Sequence, residues 1–204
     1  MKKITIIFST AALVMAGALA ACNSGGEPSA NKEGLREQTI AISKDSLIRR
    51  GAHLVTIMGC NDCHTPMIMT PKGPARDSSY LLAGHPEKLP LAEYTPDLTK
   101  QWVLFSMSGT AMAGMWGVSF AANLTSDETG IGNWTEAQFL KAMREGKLKG
   151  MDNTRPMLPP MPWQAYAHAS DEDLKAIFAY LKSTKPVENR VPSPVPPGQI
   201  AKIN

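Results

Sequence analysis

The sequence predicts an all-α domain of several short helices separated by long irregular loops. Three observations predict it. Apolar residues recur at helical spacing in three windows, and each window is bounded by a residue suited to a helix end. Sixteen prolines and sixteen glycines interrupt the chain between them. Lastly, Cys60-Asn61-Asp62-Cys63-His64 is a pattern whose two thiols a single helical turn would bring to one face.

The first 21 residues stand apart from that domain. Lys2 and Lys3 precede an apolar run over residues 4–19, and small residues lead to Ala21-Cys22, the layout of a secretory signal. A membrane-spanning helix needs about 20 apolar residues; this run is shorter and is followed at once by Asn23-Ser24-Gly25-Gly26. Leu19-Ala20-Ala21-Cys22 resembles a bacterial lipobox, which implies cleavage before Cys22 and lipidation of its thiol and new amino group. Several acyl chains on one residue anchor stably, because each buried methylene contributes about 0.8 kcal/mol. Removal of residues 1–21 leaves 19 basic and 18 acidic side chains, a balance that argues against a nucleic-acid partner. Residues 22–40 begin small and polar and read as a lipid-anchored flexible tether, and 41–186 is the expected domain.

Residues 46–58 read as an amphipathic helix, with Leu47, Leu54, Val55 and Met58 on the face that also carries Gly51. Gly51 leaves room for another helix, and Gly59 suits the helix end. The helix runs directly into the Cys-His pentapeptide, whose spacing is that of covalent c-type haem attachment. Thiols at i and i+3 can bond the two vinyl groups of one porphyrin, and the next imidazole is delivered to the iron. Cys60 and Cys63 are therefore the expected covalent sites of one haem c, with His64 as an axial ligand. The bland readings are weaker. A redox-active dithiol expects a βαβ pattern that is not seen, zinc expects a second Cys or His pair, and a disulfide across two residues stabilises little.

The stretch 67–122 is expected to be a long loop insertion. It holds Trp102, Phe105, Trp116 and Phe120 among Gly, Met and Ser, too apolar a mixture for a solvated tail. Packing around the haem is its expected role, and a partner-docking surface is the alternative. Beyond it, Thr135 caps a helix with Gln138 at the capping-box position, Phe139 and Met143 in its apolar stripe and Gly146 at its end. Ser170 opens the last helix, with Asp171, Glu172 and Asp173 at the positive end of its dipole and Leu174, Ile177, Phe178 and Leu181 on one face. Residues 187–204 form a Pro-rich strap expected to lie extended on the surface.

An electron carrier fills the second axial position of its iron, whereas a catalyst or gas binder leaves it open. Met161 is the first candidate, because the prolines of Arg155-Pro156-Met157-Leu158-Pro159-Pro160-Met161-Pro162-Trp163 hold an extended loop that can present a thioether rigidly. Met157 is the fallback, and His85 or His168 would give bis-histidine ligation. His53, on the first helix, has a surface role. Trp163 is a candidate wall of the haem pocket, and Trp134 and Arg155 are candidates for its propionates.

The order of helix, haem pattern, long loop, short helix, Met loop and C-terminal helix resembles the monohaem cytochrome c domain. Four blocks carry a closer likeness, to the cytochrome subunits of bacterial membrane dehydrogenases: Arg50-Gly51 through Cys60-Asn61-Asp62-Cys63-His64-Thr65-Pro66; Asn123-Leu124-Thr125 with Thr129-Gly130-Ile131-Gly132 and Trp134; Leu158-Pro159-Pro160-Met161-Pro162-Trp163; and Ser170-Asp171-Glu172-Asp173-Leu174 through Tyr180-Leu181. The resemblance implies a methionine ligand at Met161, first and last helices packed crosswise with Gly51 near Phe178 or Tyr180, and single-electron transfer between dehydrogenase or respiratory partners. The lipobox resemblance at Leu19-Ala20-Ala21-Cys22 implies a lipid-anchored place in the bacterial cell envelope, facing the periplasm. Neither substrate chemistry nor a small-molecule substrate is expected. The rivals are a peroxidase-like haem enzyme and a sensor lipoprotein with an open or displaceable sixth position. Those subunits often carry several haem patterns, and this chain has one.

Overall fold

The computed structural model describes residues 43–91 and 93–199. The signal segment, Cys22, the tether and the last five residues of the strap lie outside the described residues. Helix α1 (Lys44–Ile57) starts at Ser43, whose hydroxyl accepts the Ser46 amide. It is followed by the one-turn helix α2 (Cys60–His64), with Gly59 in the left-handed conformation between them. Helices α3 (Glu136–Glu145), α4 (Trp163–Tyr166) and α5 (Asp171–Ser183) complete the α-helices among the described residues, and short 3-10 helices lie at Ser78–Tyr80, Pro96–Lys100 and Leu148–Gly150. Thr135 and Gln138 form a reciprocal capping box on α3, Gly146 closes it in the left-handed region, and Ser170 caps α5.

The all-α expectation is corrected by the stretch 67–122. Strands β1 (Met67–Thr70) and β2 (Gly73–Arg76) make one antiparallel hairpin. Strands β3 (Leu104–Phe105), β4 (Ala111–Gly114) and β5 (Gly117–Phe120) make a second antiparallel sheet in that order. Of the described residues, 37% are helix and 13% strand. The strands escape a reading by periodicity for physical reasons. None exceeds four residues, β4 is buried at every position, and Met67, Ile68 and Met69 of β1 are all exposed, so no polar-apolar alternation exists to detect. Each hairpin turns through two residues, Pro71-Lys72 and Met115-Trp116. The positive φ that each turn needs falls on the glycine that follows, Gly73 or Gly117.

The core joins α1, α3 and α5 through Val55, Phe139, Met143, Leu174, Ile177, Phe178 and Leu181, with Leu82 and Ile131 contributed by loops. The Phe139 and Phe178 rings lie 5.3 Å apart. Helix α1 meets α5 at Gly51, where a Cβ would sit 1.9 Å from the Ala176 carbonyl oxygen and 2.7 Å from Tyr180 Cβ. The aromatic neighbour is therefore Tyr180, and only hydrogen at position 51 permits this approach. Arg50 pairs with Asp173 at 2.6 Å and fixes the N-terminal end of α5 to α1.

The C-terminal strap is irregular and stitched down. Val118 and Val195 exchange backbone hydrogen bonds at 2.8 and 2.9 Å. Buried Asn189 donates to the carbonyls of Ala83 and His85 and accepts from the Glu87 amide.

Candidate functional site

The site begins where α1 ends. Gly59, in the left-handed conformation, ends α1 so that α2 starts at once, and Tyr166 of α4 donates its hydroxyl to the Met58 carbonyl at 2.7 Å. On α2, Cys60 and Cys63 are free thiols, partly exposed. The two residues between them are turned to other tasks. Asn61 accepts from the Thr65 hydroxyl at 2.9 Å, and Asp62 pairs with Arg76 at 3.2 Å. Arg76 also donates to the Thr65 carbonyl, so β2 grips the haem-pattern turn from its far side.

His64 is buried, and its Nδ1 lies 2.7 Å from the carbonyl oxygen of Ala122. A carbonyl can only accept, so Nδ1 carries the proton and Nε2 presents its lone pair. This is the tautomer and orientation that a metal-ligating histidine needs, with the backbone partner raising its basicity. Burial pushes the His64 imidazole below its ordinary pKa, against the opposing effect of the Ala122 carbonyl, and keeps the ring neutral. Burial likewise raises the Cys60 thiol to about 11, with the nearby Asp62 adding to it. Cys63 is raised too, by burial and then by Asp62, while Arg76 opposes. A dithiol oxidoreductase works through a depressed thiol, and these two are displaced the other way.

The sixth-ligand candidates are distributed unevenly. Met161 is partly buried against the hydrophobic core. Met157 is also partly buried, with its amide held by the Gly146 carbonyl at 2.7 Å. His85 is buried with both ring nitrogens engaged, Nδ1 with the Thr110 hydroxyl at 2.9 Å and Nε2 with the Leu89 carbonyl at 3.2 Å. His168 and His53 are exposed. Trp163 opens α4 and covers the Cα of Gly146, where a Cβ would come within 2.3 Å of its ring. Trp134 is half-buried against the core, whereas Arg155 is exposed and donates to the Pro156 carbonyl.

Sequence reasoning missed the Ala122 carbonyl and Gly84. The first has no sequence signature, because any residue supplies a carbonyl. Gly84 sits at φ +77° between His64, whose carbonyl accepts its amide, and the Ala121-Ala122 peptide. A glycine just before His85 is a legible turn signal, though it does not reveal what the turn supports.

The donor set fits haem c. Two unbridged thiols sit at i and i+3, followed by a buried neutral imidazole with Nε2 available. Among the described residues, no three His, Cys, Asp or Glu side chains gather to hold a bare metal ion.

Comparison with known proteins agrees. A model of the cytochrome c family matches residues 48–185. The fructose dehydrogenase cytochrome subunit of Gluconobacter japonicus is 30% identical over 161 residues, 78% of this chain and 25% of that protein. The gluconate 2-dehydrogenase cytochrome c subunit of Pantoea cypripedii is 30% identical over 139 residues, 68% of this chain and 23% of that protein. A nicotinate dehydrogenase subunit of Pseudomonas putida is 38% identical over a shorter stretch of 86 residues, covering 42% of this chain and 7% of that protein. The chain thus spans a quarter or less of the length of these relatives. With the family model covering most of its length and the Cys-His turn in place, this chain belongs to the cytochrome c family.

Proposed function

We propose that this chain is an electron-transfer cytochrome c rather than an enzyme. In this reading Cys60 and Cys63 hold one haem covalently, and His64 and Met161 are its axial ligands. Once bound, the haem supplies one-electron exchange between ferric and ferrous iron. The observation that carries the reading is the 2.7 Å contact from His64 Nδ1 to the Ala122 carbonyl, one residue after the paired thiols. It orients the imidazole so that Nε2 is the nitrogen that would ligate iron. Met161 supports the reading by its seat against the core on a proline-held loop. Half-buried Trp163 and Trp134 are the candidates to exclude water from the haem pocket.

The relatives named as cytochrome subunits of dehydrogenases suggest a redox protein as partner, with single electrons passing between dehydrogenase or respiratory components. The signal over residues 1–21 and lipidation at Cys22 suggest a domain tethered to a bacterial membrane and facing the periplasm. Among the described residues, no helix is long and apolar enough to cross a membrane.

Two experiments test these readings. Met161→Ala leaves the haem attached but converts it to a high-spin or exogenously ligated form, while Met157→Ala keeps the low-spin spectrum. An unchanged low-spin spectrum for Met161→Ala removes Met161 as ligand. Cys22→Ser releases the protein into the soluble fraction, and continued membrane retention of that variant defeats the lipid anchor.

A further inference from the structure

One short segment contacts both His64 and the loop that carries Met161. Ala122 holds His64 through its carbonyl. Three residues earlier, buried Ser119 of β5 donates its hydroxyl to the carbonyl of Pro159 at 2.7 Å, two residues before Met161. That hydroxyl is aimed. Trp116 Nε1 donates to Ser119 Oγ at 3.2 Å, occupying a lone pair and leaving the Ser119 proton for an acceptor. The competing acceptor, the Met112 carbonyl, is 3.4 Å away and is the weaker choice. Trp116 is itself confined, because its ring fills the space where a Cβ on Gly114 would sit, 2.3 Å away. The Pro159 carbonyl belongs to a proline-rich loop with few amides to satisfy it, so the Ser119 hydroxyl is a specific restraint on this loop.

We infer that Ser119, aimed by Trp116, is a positioning residue that holds the Met161 loop in place, so that the insertion braces both axial sides through residues 116–122. The inference rests on the reading of Met161 as a ligand. Ser119 acts only through the Pro159 carbonyl and touches no reacting atom. Loss of the hydroxyl removes that carbonyl's protein partner, and a loop released by that amount yields more readily to a competing ligand.

The test is an optical titration of the ferric holoprotein with imidazole, which competes for the position assigned to Met161. Ser119→Ala binds imidazole about fivefold more tightly than wild type, the change expected for one hydrogen bond. Ser119→Thr, which keeps the hydroxyl, stays within about twofold of wild type. Trp116→Phe moves in the same direction as Ser119→Ala and serves if that variant fails to fold. In a Met161→Ala background the Ser119→Ala effect disappears, because no thioether is left to be held. An equal effect in both backgrounds, or none in either, overturns the inference and leaves Met161 in place as ligand. If Met161→Ala itself binds imidazole as wild type does, the ligand reading fails, and the inference falls with it.

Discussion

His64 Nδ1 and the Ala122 carbonyl oxygen are 2.7 Å apart, and the peptide that supplies this oxygen packs against Gly84. A Cβ on Gly84 would lie 2.4 Å from the Ala121 oxygen and 2.6 Å from the Ala122 carbonyl carbon, at a φ of +77° that already disfavours any side chain. Gly84→Ala is expected to destabilise the protein by about 2 kcal/mol or more and to turn the Ala122 carbonyl away from His64. Chemical denaturation gives the first effect. Reduced haem incorporation at equal expression gives the second, and normal incorporation with normal stability contradicts both.

Gly51→Ala attacks the contact between α1 and α5. Its Cβ meets the Ala176 carbonyl oxygen at 1.9 Å, which is backbone and cannot swing aside. The expected cost is about 3 kcal/mol, near the upper range for overpacking. Gly73→Ala is the matched control, because nothing lies within 4 Å of its Cβ and only the positive φ opposes it. Its loss is expected near ~1 kcal/mol, and equal losses at the two sites contradict the packing argument.

Much of this fold is legible in the sequence, and the division has a physical cause. Phe139, Met143 and Gly146 mark α3, and Ser170 with Leu174, Ile177 and Leu181 marks α5, because a helix writes its buried face into its own periodicity and its ends into capping residues. The strands of 67–122 are decided by partners distant in sequence: Val118 pairs with Val195, and Met67 bonds to the Ser108 carbonyl. The candidate site divides in the same way. Cys60, Cys63 and His64 announce themselves by spacing, while the groups that orient the site, Ala122, Gly84 and Ser119, act through backbone or through one hydroxyl and carry no pattern.

Asn189 tests whether the C-terminal strap is structural. Its side chain donates to the carbonyls of Ala83 and His85 in a buried setting and accepts from the Glu87 amide in a partly buried one. Asn189→Ala strands these groups and is expected to cost roughly 3 kcal/mol, whereas exposed Glu188→Ala costs about 0.5 kcal/mol or less. Thermal unfolding of both variants checks the contrast.

The buried His85 predicts a dependence of stability on pH. Burial lowers its pKa from the ordinary 6.5, with the Leu89 carbonyl opposing. The unfolded chain therefore binds a proton in a window where the folded chain does not. The contribution is fully present above pH 6.5 and is lost as pH falls from there through the lower folded value. In His85→Gln the denaturation midpoint falls less steeply below that pH than in wild type. An identical slope in both proteins removes His85 as the source.

The central claim is that Cys60 and Cys63 hold a single haem covalently, and the mass of the matured protein after extraction with acidified organic solvent tests it most directly. The account predicts that the colour stays with the polypeptide and that the intact mass exceeds the apoprotein by one haem, an increment lost when both Cys60 and Cys63 are replaced by serine. Colour that passes into the solvent, or a polypeptide of apoprotein mass, would contradict it.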